Sequence, residues 1–191
     1  MTFPSGTKKK KIKTARKMTP GRLENIALHH LDRYATSAEN LRQVLSRRAW
    51  KSARDNDTDL DQYKTWIDDL IARYQVSGLL DDATYARAQS ETLHRRGKSI
   101  RAIAAVLLKK GVPGYLVDEA LASLANDTED PDLMAALGYA RRRRFGPYRT
   151  RDIDDKGRHK ELAALARAGF SYAIANRIIN AETVEEIEQG G

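Results

Sequence analysis

The sequence predicts an all-α protein in which three tandem three-helix units form an elongated, curved repeat array. A twelve-residue pattern at residues 37–48 recurs without a gap at residues 99–110, 62 positions further along the chain. A weaker third copy surrounds residues 165–170. Apolar residues recur at helical spacing, and no stretch alternates apolar and polar residues as a half-buried strand would. A short unit used several times is typical of helical repeat proteins.

The first unit is predicted over residues 19–80. Thr19 suits the cap of its first helix, and Ser37 suits the cap of its second. The polar residues 51–60 predict a loop. The third helix is the clearest, because six apolar residues fall on one face: Tyr63, Trp66, Ile67, Leu70, Ile71 and Tyr74.

The second unit, residues 81–128, and the third, residues 129–181, are predicted to repeat this order. Asp81 and Asp82 suit a helix start, and glycines follow the predicted helix ends at positions 78, 97, 111 and 169. The third unit is the least regular. We expect residues 182–191 to be a flexible acidic C-terminus.

The charge of the chain is concentrated at its start, because residues 1–20 carry seven of the eight net positive charges. We expect residues 1–18 to be a disordered basic tail. The tail serves either solubility or nonspecific binding of polyanions such as nucleic acid. Its cations are Lys8, Lys9, Lys10, Lys11, Lys13, Arg16 and Lys17.

The composition disfavours several classes of function. The chain has no cysteine, which excludes disulfides, thiolate metal sites and a cysteine nucleophile. No apolar run approaches the ~20 residues of a membrane span, and we expect a cytoplasmic protein that does not engage a membrane. Gly97-Lys98-Ser99 resembles the end of a phosphate-binding loop but lacks its earlier glycine and its strand. Adjacent His29 and His30 make a poor chelate, and no nucleophile–base pair is visible. We therefore expect no enzyme, no cofactor and no metal site.

Clusters of basic residues are the strongest functional signal. Arg47-Arg48 and Lys109-Lys110 occupy the same place in two units, where they also complement the negative end of a helix dipole. The arginine run (Arg141, Arg142, Arg143 and Arg144) is harder to explain by solvation, because no single helix face neutralises it. Residues 141–160 hold nine basic and three acidic residues. The segment therefore predicts a contact surface for DNA or for an acidic protein face.

Several local motifs, in this order and spacing, resemble the RecX family of bacterial regulators of the RecA recombinase. They are Ser37-x-x-x-Leu41-Arg42-x-x-Leu45-x-Arg47-Arg48, Gly78-Leu79-Leu80-Asp81-Asp82-x-x-Tyr85-Ala86, Arg95-Arg96-Gly97-Lys98-Ser99 and Leu107-Leu108-Lys109-Lys110-Gly111-Val112. The resemblance covers residues 19–179. It implies a protein that lies along the groove of the RecA–single-stranded DNA filament and depresses strand exchange, ATP hydrolysis and co-protease activity. We expect a monomer.

With the resemblance, the basic clusters become candidate contacts for RecA and single-stranded DNA, with weaker binding to duplex DNA. The candidates are Arg47, Arg48, Arg95, Arg96, Lys109, Lys110, Arg141, Arg142, Arg143 and Arg144. One alternative is a nonspecific DNA-binding architectural protein that acts without RecA. A helix-turn-helix repressor is a more remote one, since nothing indicates a single operator or a dimer.

Overall fold

A computed structural model describes residues 16–56, 59–126 and 130–189. Within these ranges the chain forms ten α-helices and one 3-10 helix, Gly146–Tyr148, and no strand, so the all-α class is confirmed. The outline of the array and the predicted repeat boundaries stay predictions. The helices are α1 (Pro20–Leu31), α2 (Ala38–Asn56), α3 (Leu60–Val76), α4 (Asp82–Arg95), α5 (Ile100–Lys109), α6 (Gly114–Asn126), α7 (Pro131–Arg143), α8 (Asp155–Arg167), α9 (Tyr172–Asn180) and α10 (Val184–Gln189).

The helix starts follow the capping residues that the sequence predicts. The Thr19 hydroxyl accepts from the N–H of Arg22 at 3.3 Å at the start of α1. The Asp81 carboxylate accepts from the N–H of Thr84 at 3.0 Å at the start of α4. Each bond satisfies one of the backbone donors that a first helical turn leaves unpaired.

The chain divides into two compact units, of which the first comprises residues up to Tyr34 and Leu41–Ser77. It contains α1, most of α2, and α3. The apolar face predicted for α3 is buried, with the exception of Trp66, which is half-buried. The same unit also contains buried apolar residues of α1 and α2, namely Leu23, Ala27, Leu41, Leu45 and Ala49.

Helix α2 is longer than predicted. Residues 51–60 were expected to form a loop, but α2 continues to Asn56, so that expectation is wrong for its first six positions. Ser52 and Ala53 are buried, and they continue the inward face of the helix after Ala49. Small residues carry little hydropathy, which is why the apolar pattern seemed to stop too early.

The start of the described chain is also packed. Met18, at the end of the predicted disordered tail, is only 2% exposed. The Ser52 hydroxyl donates to the carbonyl of Arg16 at 3.0 Å, and the Arg22 guanidinium donates to the same carbonyl at 2.7 Å. Residues 16–18 therefore belong to the first unit, while residues 1–15 lie outside the described residues.

The second unit comprises Ala35–Asn40 and the chain from Gly78 onward. It contains two apolar clusters. One is formed by α4, α5 and α6 around buried residues that include Ala86, Ile103, Leu107 and Val117. The other is formed by the helices from α7 to α10 and includes Ala136, Leu165, Phe170, Ile178 and Ile187.

Ser99 is fully buried between the two clusters and makes two hydrogen bonds. Its hydroxyl accepts from the N–H of Ala102 at 3.1 Å, which caps α5, and donates to the carbonyl of Ala168 at 3.0 Å, at the end of α8. The next N–H, of Ile100, donates to the carboxylate of Asp132 at 2.7 Å. Residues 99–100 are therefore hydrogen-bonded both to the end of α8 and to the first turn of α7.

Ser37 repeats this arrangement, as its place in the repeated pattern predicts. Its hydroxyl accepts from the N–H of Asn40 at 3.2 Å and donates to the carbonyl of Lys110, at the end of α5. The N–H of Ala38 donates to the carboxylate of Asp82 at 2.8 Å, in the first turn of α4. The repeat thus preserves a set of polar contacts as well as the apolar core.

A glycine follows the accepting carbonyl in both arrangements. Gly111 has φ +74° and Gly169 has φ +97°, a region that favours glycine. A Cβ on Gly169 would overlap the Ser99 hydroxyl, and one on Gly111 would overlap the side chain of Glu39. These glycines therefore permit both the turn and the close approach of the serine segment.

The C-terminal segment, which the sequence predicts to be flexible, contains helix α10. Ile187 is fully buried in the second apolar cluster, and the Arg177 guanidinium donates to its carbonyl. One isoleucine among glutamates gives almost no periodic signal, although it is enough to anchor a short helix. Residues 190–191 lie outside the described residues.

Candidate functional site

The arginine run lies at the end of α7, where all four side chains are exposed but have different roles. The Arg142 guanidinium donates to the carbonyl of Arg96 at 2.6 Å, at the end of α4. It lies directly over Gly97, where a Cβ would overlap its Nη2 atom. Arg142 therefore stabilises the contact between two helix ends, which gives it a structural role beside any role in binding.

The next two arginines end the helix. Arg143 lies over the ring of Tyr139, with its guanidinium carbon 5.7 Å from the ring centroid, a favourable cation–π geometry. Arg144 is left-handed, at φ 58°, and the N–H of Phe145 donates to the carbonyl of Ala140 at 2.9 Å. This turn is a common helix C-terminus, although glycine usually occupies the left-handed position. The backbone at Arg144 is therefore mildly strained.

Beyond α7 the chain forms an open cleft of about 440 Å³, which we call the arginine cleft. It is lined by Arg143, Arg144, Phe145, Arg149, Thr150, Arg151, Ile153 and Glu161. Four guanidinium groups and one carboxylate thus line one cavity. The fold places half of the arginine run, Arg143 and Arg144, in the cleft. Two further arginines in the cleft, Arg149 and Arg151, were not among the candidate residues.

Arg149 and Glu161 form a buried ion pair at the base of the cleft, with side chains 19% and 11% exposed. The Arg149 Nη2 atom donates to the Glu161 carboxylate at 2.7 Å and to the carbonyl of Ile179 at 2.9 Å. The N–H of Gly146 donates to the same carboxylate at 3.4 Å. Arg149 therefore neutralises Glu161 and fixes the segment that follows α7.

The other three cleft arginines form no ion pair in the described part of the chain. Arg143, Arg144 and Arg151 are all exposed. Because the one carboxylate in the cleft is neutralised by Arg149, the cleft keeps a net charge of about three. Guanidinium groups bind phosphate oxygens in bidentate geometry, so the arrangement suits a phosphate or a carboxylate cluster.

The paired basic residues of the second repeat lie at helix ends. Arg95 and Arg96 are exposed at the end of α4, and Lys109 and Lys110 are exposed at the end of α5. The Lys110 ammonium donates to the side chain of Asn40 at 3.3 Å. Cations at these positions interact favourably with the negative end of the helix dipole, which explains in part why basic residues occur there.

Arg47 and Arg48 differ from this pattern. They were expected to end the second helix, but α2 continues for eight residues beyond Arg48, so this expectation is wrong. Both side chains are exposed in the middle of the helix, where the dipole offers no stabilisation. The helix dipole therefore does not explain why these two positions are basic, and their proposed role in binding stays a prediction.

Comparisons with known proteins show the family of the chain but do not test these residues. Residues 81–121 match the family model described as RecX, second three-helix domain. The chain is 38% identical over 178 residues to Regulatory protein RecX of Myxococcus xanthus, covering 93% of this chain and 94% of the relative. It is 35% identical over 164 residues to Regulatory protein RecX of Agrobacterium fabrum, covering 86% and 84%. The chain belongs to the RecX family. No solved structure matches it.

The matched RecX domain contains Arg95, Arg96, Lys109 and Lys110, whereas the arginine cleft lies after it in sequence. Of the predicted basic tail, Arg16 and Lys17 are exposed and their carbonyls accept from Arg22, while Lys8, Lys9, Lys10, Lys11 and Lys13 lie outside the described residues. In the described part of the chain no group of acidic or histidine side chains is arranged to hold a metal ion. No described helix is both long and apolar enough to cross a membrane.

The sequence predicts Arg149 and Arg151 only as members of the basic segment 141–160, and Trp50 was not among the candidate residues. Nothing in the sequence shows that Arg149 pairs with Glu161. Trp50 is 66% exposed on α2, which is unusual for such a large apolar side chain. It lies two residues after Arg48, where the repeated pattern ends.

Proposed function

We propose that this protein binds the RecA–single-stranded DNA filament and inhibits the recombinase, ATPase and co-protease activities of RecA in DNA repair. Membership of the RecX family supports a regulatory role. The observation that carries the proposal is the arginine cleft, where Arg143, Arg144 and Arg151 face solvent without ion pairs. A filament of protein and nucleic acid offers such a cleft both phosphates and acidic side chains.

The regulation needs no catalytic group. A protein that binds one state of the filament more tightly than another shifts the equilibrium between them by that difference in affinity. A difference of 1.4 kcal/mol changes the ratio of the states about tenfold. A few guanidinium–phosphate contacts, each about 1.5–3 kcal/mol, suffice for an effect of this size.

The test follows ATP hydrolysis by RecA on single-stranded DNA while the protein is added. The wild-type protein should lower the rate at stoichiometric amounts, and Arg151→Glu should weaken inhibition because it reverses one unpaired charge in the cleft. Arg101→Glu is the matched control, since Arg101 is exposed on α5, does not line the cleft, and gives the same change in net charge. Equal inhibition by both variants would contradict the role of the cleft. No effect of the wild-type protein would contradict the proposed function.

The arginine cleft also suits a second candidate, a nonspecific DNA-binding architectural protein that acts without RecA. This candidate predicts affinity for bare DNA that falls steeply with salt, with a slope set by the number of phosphate contacts. It also predicts that RecA makes no difference. Measuring DNA affinity at several salt concentrations, with and without RecA, separates the two functions.

A further inference from the structure

The segment that forms the arginine cleft is fixed to the rest of the second unit by buried groups. Gly146 has φ +56°, and a Cβ on it would overlap the carbonyl of Ile178, near the end of α9. The N–H of Gly146 donates to the Glu161 carboxylate at 3.4 Å. The Arg149 guanidinium donates to the same carboxylate at 2.7 Å and to the carbonyl of Ile179 at 2.9 Å. A site held in this way is preorganised, so less conformational entropy is lost when a ligand binds.

Arg144, which lines the cleft, has a backbone conformation that is unfavourable for an arginine. The other described residues with positive φ are all glycines, namely Gly78, Gly97, Gly111, Gly146 and Gly169. Glycine adopts this region without strain, whereas the Cβ of any other residue is crowded against the backbone. Strained conformations of this kind cluster at sites that bind ligands. The strain therefore indicates that the side chain of Arg144 has a use that a glycine could not supply.

Three guanidinium groups of the cleft can bind a ligand. All the lining residues belong to residues 143–161, every one of which the structure describes. Arg143, Arg144 and Arg151 are exposed and form no ion pair in the described part of the chain. The nearby Asp154 is engaged elsewhere, because its carboxylate accepts from a backbone N–H at 2.8 Å and caps α8. These three arginines therefore define the surface that a ligand meets.

The arrangement suits linked phosphates better than separate carboxylates. A guanidinium group binds phosphate oxygens in bidentate geometry, and several of them around one cavity of about 440 Å³ require several anionic groups close together. Carboxylates of a protein surface repel one another when they converge on one cavity. Linked phosphates are already held adjacent by covalent bonds, so that the free ligand carries this repulsion before it binds.

We propose that the arginine cleft is a binding site for linked phosphates, which Arg143, Arg144 and Arg151 bind while Arg149 stays paired with Glu161. Linked phosphates occur in the backbone of a nucleic-acid strand and in free polyphosphates. The inference rests on the proposed function and deepens it, because it names phosphate, rather than an acidic protein side chain, as the group that the cleft binds.

The first measurement is the affinity of the full-length protein for a labelled thymidine oligonucleotide, by fluorescence anisotropy at several salt concentrations and without RecA. Arg144→Gln and Arg151→Gln should each weaken binding about tenfold, the effect of losing one charge-assisted hydrogen bond. Each should also reduce the slope of log affinity against log salt by about 0.7, the value for one phosphate of a single strand. Arg151→Lys should retain part of the affinity, because it keeps the charge without the planar guanidinium. Arg101→Gln, exposed on α5 and outside the lining, is the control and should change neither quantity.

Calorimetric titration with inorganic pyrophosphate and with citrate identifies the anion. If the arginine variants lose affinity for the oligonucleotide alone, the phosphates are those of a strand. If they lose affinity for pyrophosphate alone, the ligand is a free polyphosphate. Either result supports the inference, as does the loss of both affinities. Citrate, which carries carboxylates, should bind no more tightly than pyrophosphate.

Circular dichroism and thermal unfolding verify that each variant is folded, which the exposure of Arg144 and Arg151 favours. Unchanged affinity of both glutamine variants for both probes overturns the inference, and so does a wild-type protein that binds neither probe. Tighter binding of citrate than of pyrophosphate also overturns it, because the cleft then binds carboxylates. Failure of the wild-type protein to inhibit RecA contradicts the proposed function instead, whatever the two binding measurements give.

Discussion

Replacement of Ser99 by alanine tests whether the repeated serine contacts stabilise the second unit. The change removes the cap of α5, which is typically worth about 1 kcal/mol. It also leaves the carbonyl of Ala168 without the hydroxyl that donates to it at 3.0 Å, in a place where Ser99 is fully buried. An unsatisfied buried acceptor costs about 1–3 kcal/mol. The expected total loss of stability is therefore about 2–4 kcal/mol.

Ser171 supplies a matched control within the same unit. It caps α9 by accepting from the N–H of Ile174 at 3.2 Å, but it is exposed and donates to no distant carbonyl. Ser171→Ala should cost only the cap, about 1 kcal/mol. The difference between the two variants, about 1–3 kcal/mol, then measures the bond to Ala168.

Thermal unfolding followed by circular dichroism at 222 nm is a suitable assay. One kcal/mol corresponds to about 2–4 °C in a chain of this length. Ser99→Ala should therefore unfold about 4–16 °C below the wild-type protein, and Ser171→Ala about 2–4 °C below it. Equal shifts for the two variants would refute the reasoning, because the bond between helix ends would then contribute nothing beyond capping.

Three further predictions concern the arginine cleft and α4. Glycine adopts the left-handed backbone at position 144 without strain, so Arg144→Gly should raise the melting temperature by up to about 4 °C. The same change removes one charge of the cleft and should weaken inhibition of RecA. A lower melting temperature would contradict the first expectation. Arg149→Met should cost about 3–5 kcal/mol in urea unfolding because it leaves the Glu161 carboxylate buried without its partner. Adding Glu161→Leu should restore most of that loss, and no recovery would argue against the buried pair. Hydrogen bonds from Thr84, chiefly from its hydroxyl, lower the pKa of the Asp81 carboxyl below its ordinary 3.8. Because the pKa is lower in the folded protein, the charged cap stabilises α4 above that pH, and this stabilisation is lost as the pH falls through the lowered pKa. Thr84→Val should raise that pKa in a carboxyl NMR titration, and an unchanged pKa would exclude this cause.

The elements that could be predicted from the sequence are those with local signals. The caps at Thr19, Ser37 and Asp81 each combine a short polar side chain with a following helix, and the structure uses all three. The turn at Gly111 has the positive φ that only glycine adopts easily. These features depend on a few neighbouring residues, so one sequence is enough to find them.

The features that escaped prediction depend on residues far apart in the chain. Arg149 appears in the sequence as one more cation in a basic segment, and only the fold brings it against Glu161 and the carbonyl of Ile179. Arg142 likewise appears as part of a uniform run, although it alone of the four donates to the end of α4. A count of charges therefore predicted where a basic surface lies but not which arginines are free to bind.

The extension of α2 shows how a departure from the repeat places an aromatic side chain on the surface. In the gapless alignment Ala49 takes the place of Gly111, and Trp50 takes the place of Val112. Gly111 ends α5 with a left-handed turn, after which Val112 is buried at 3% exposure. Alanine disfavours that backbone and is the strongest helix former, so α2 continues instead. Trp50 consequently lies on the helix surface rather than in a core, beside Lys51 and Arg54 on the added turns. One substitution at a helix stop thus accounts for both the longer helix and the exposed aromatic ring.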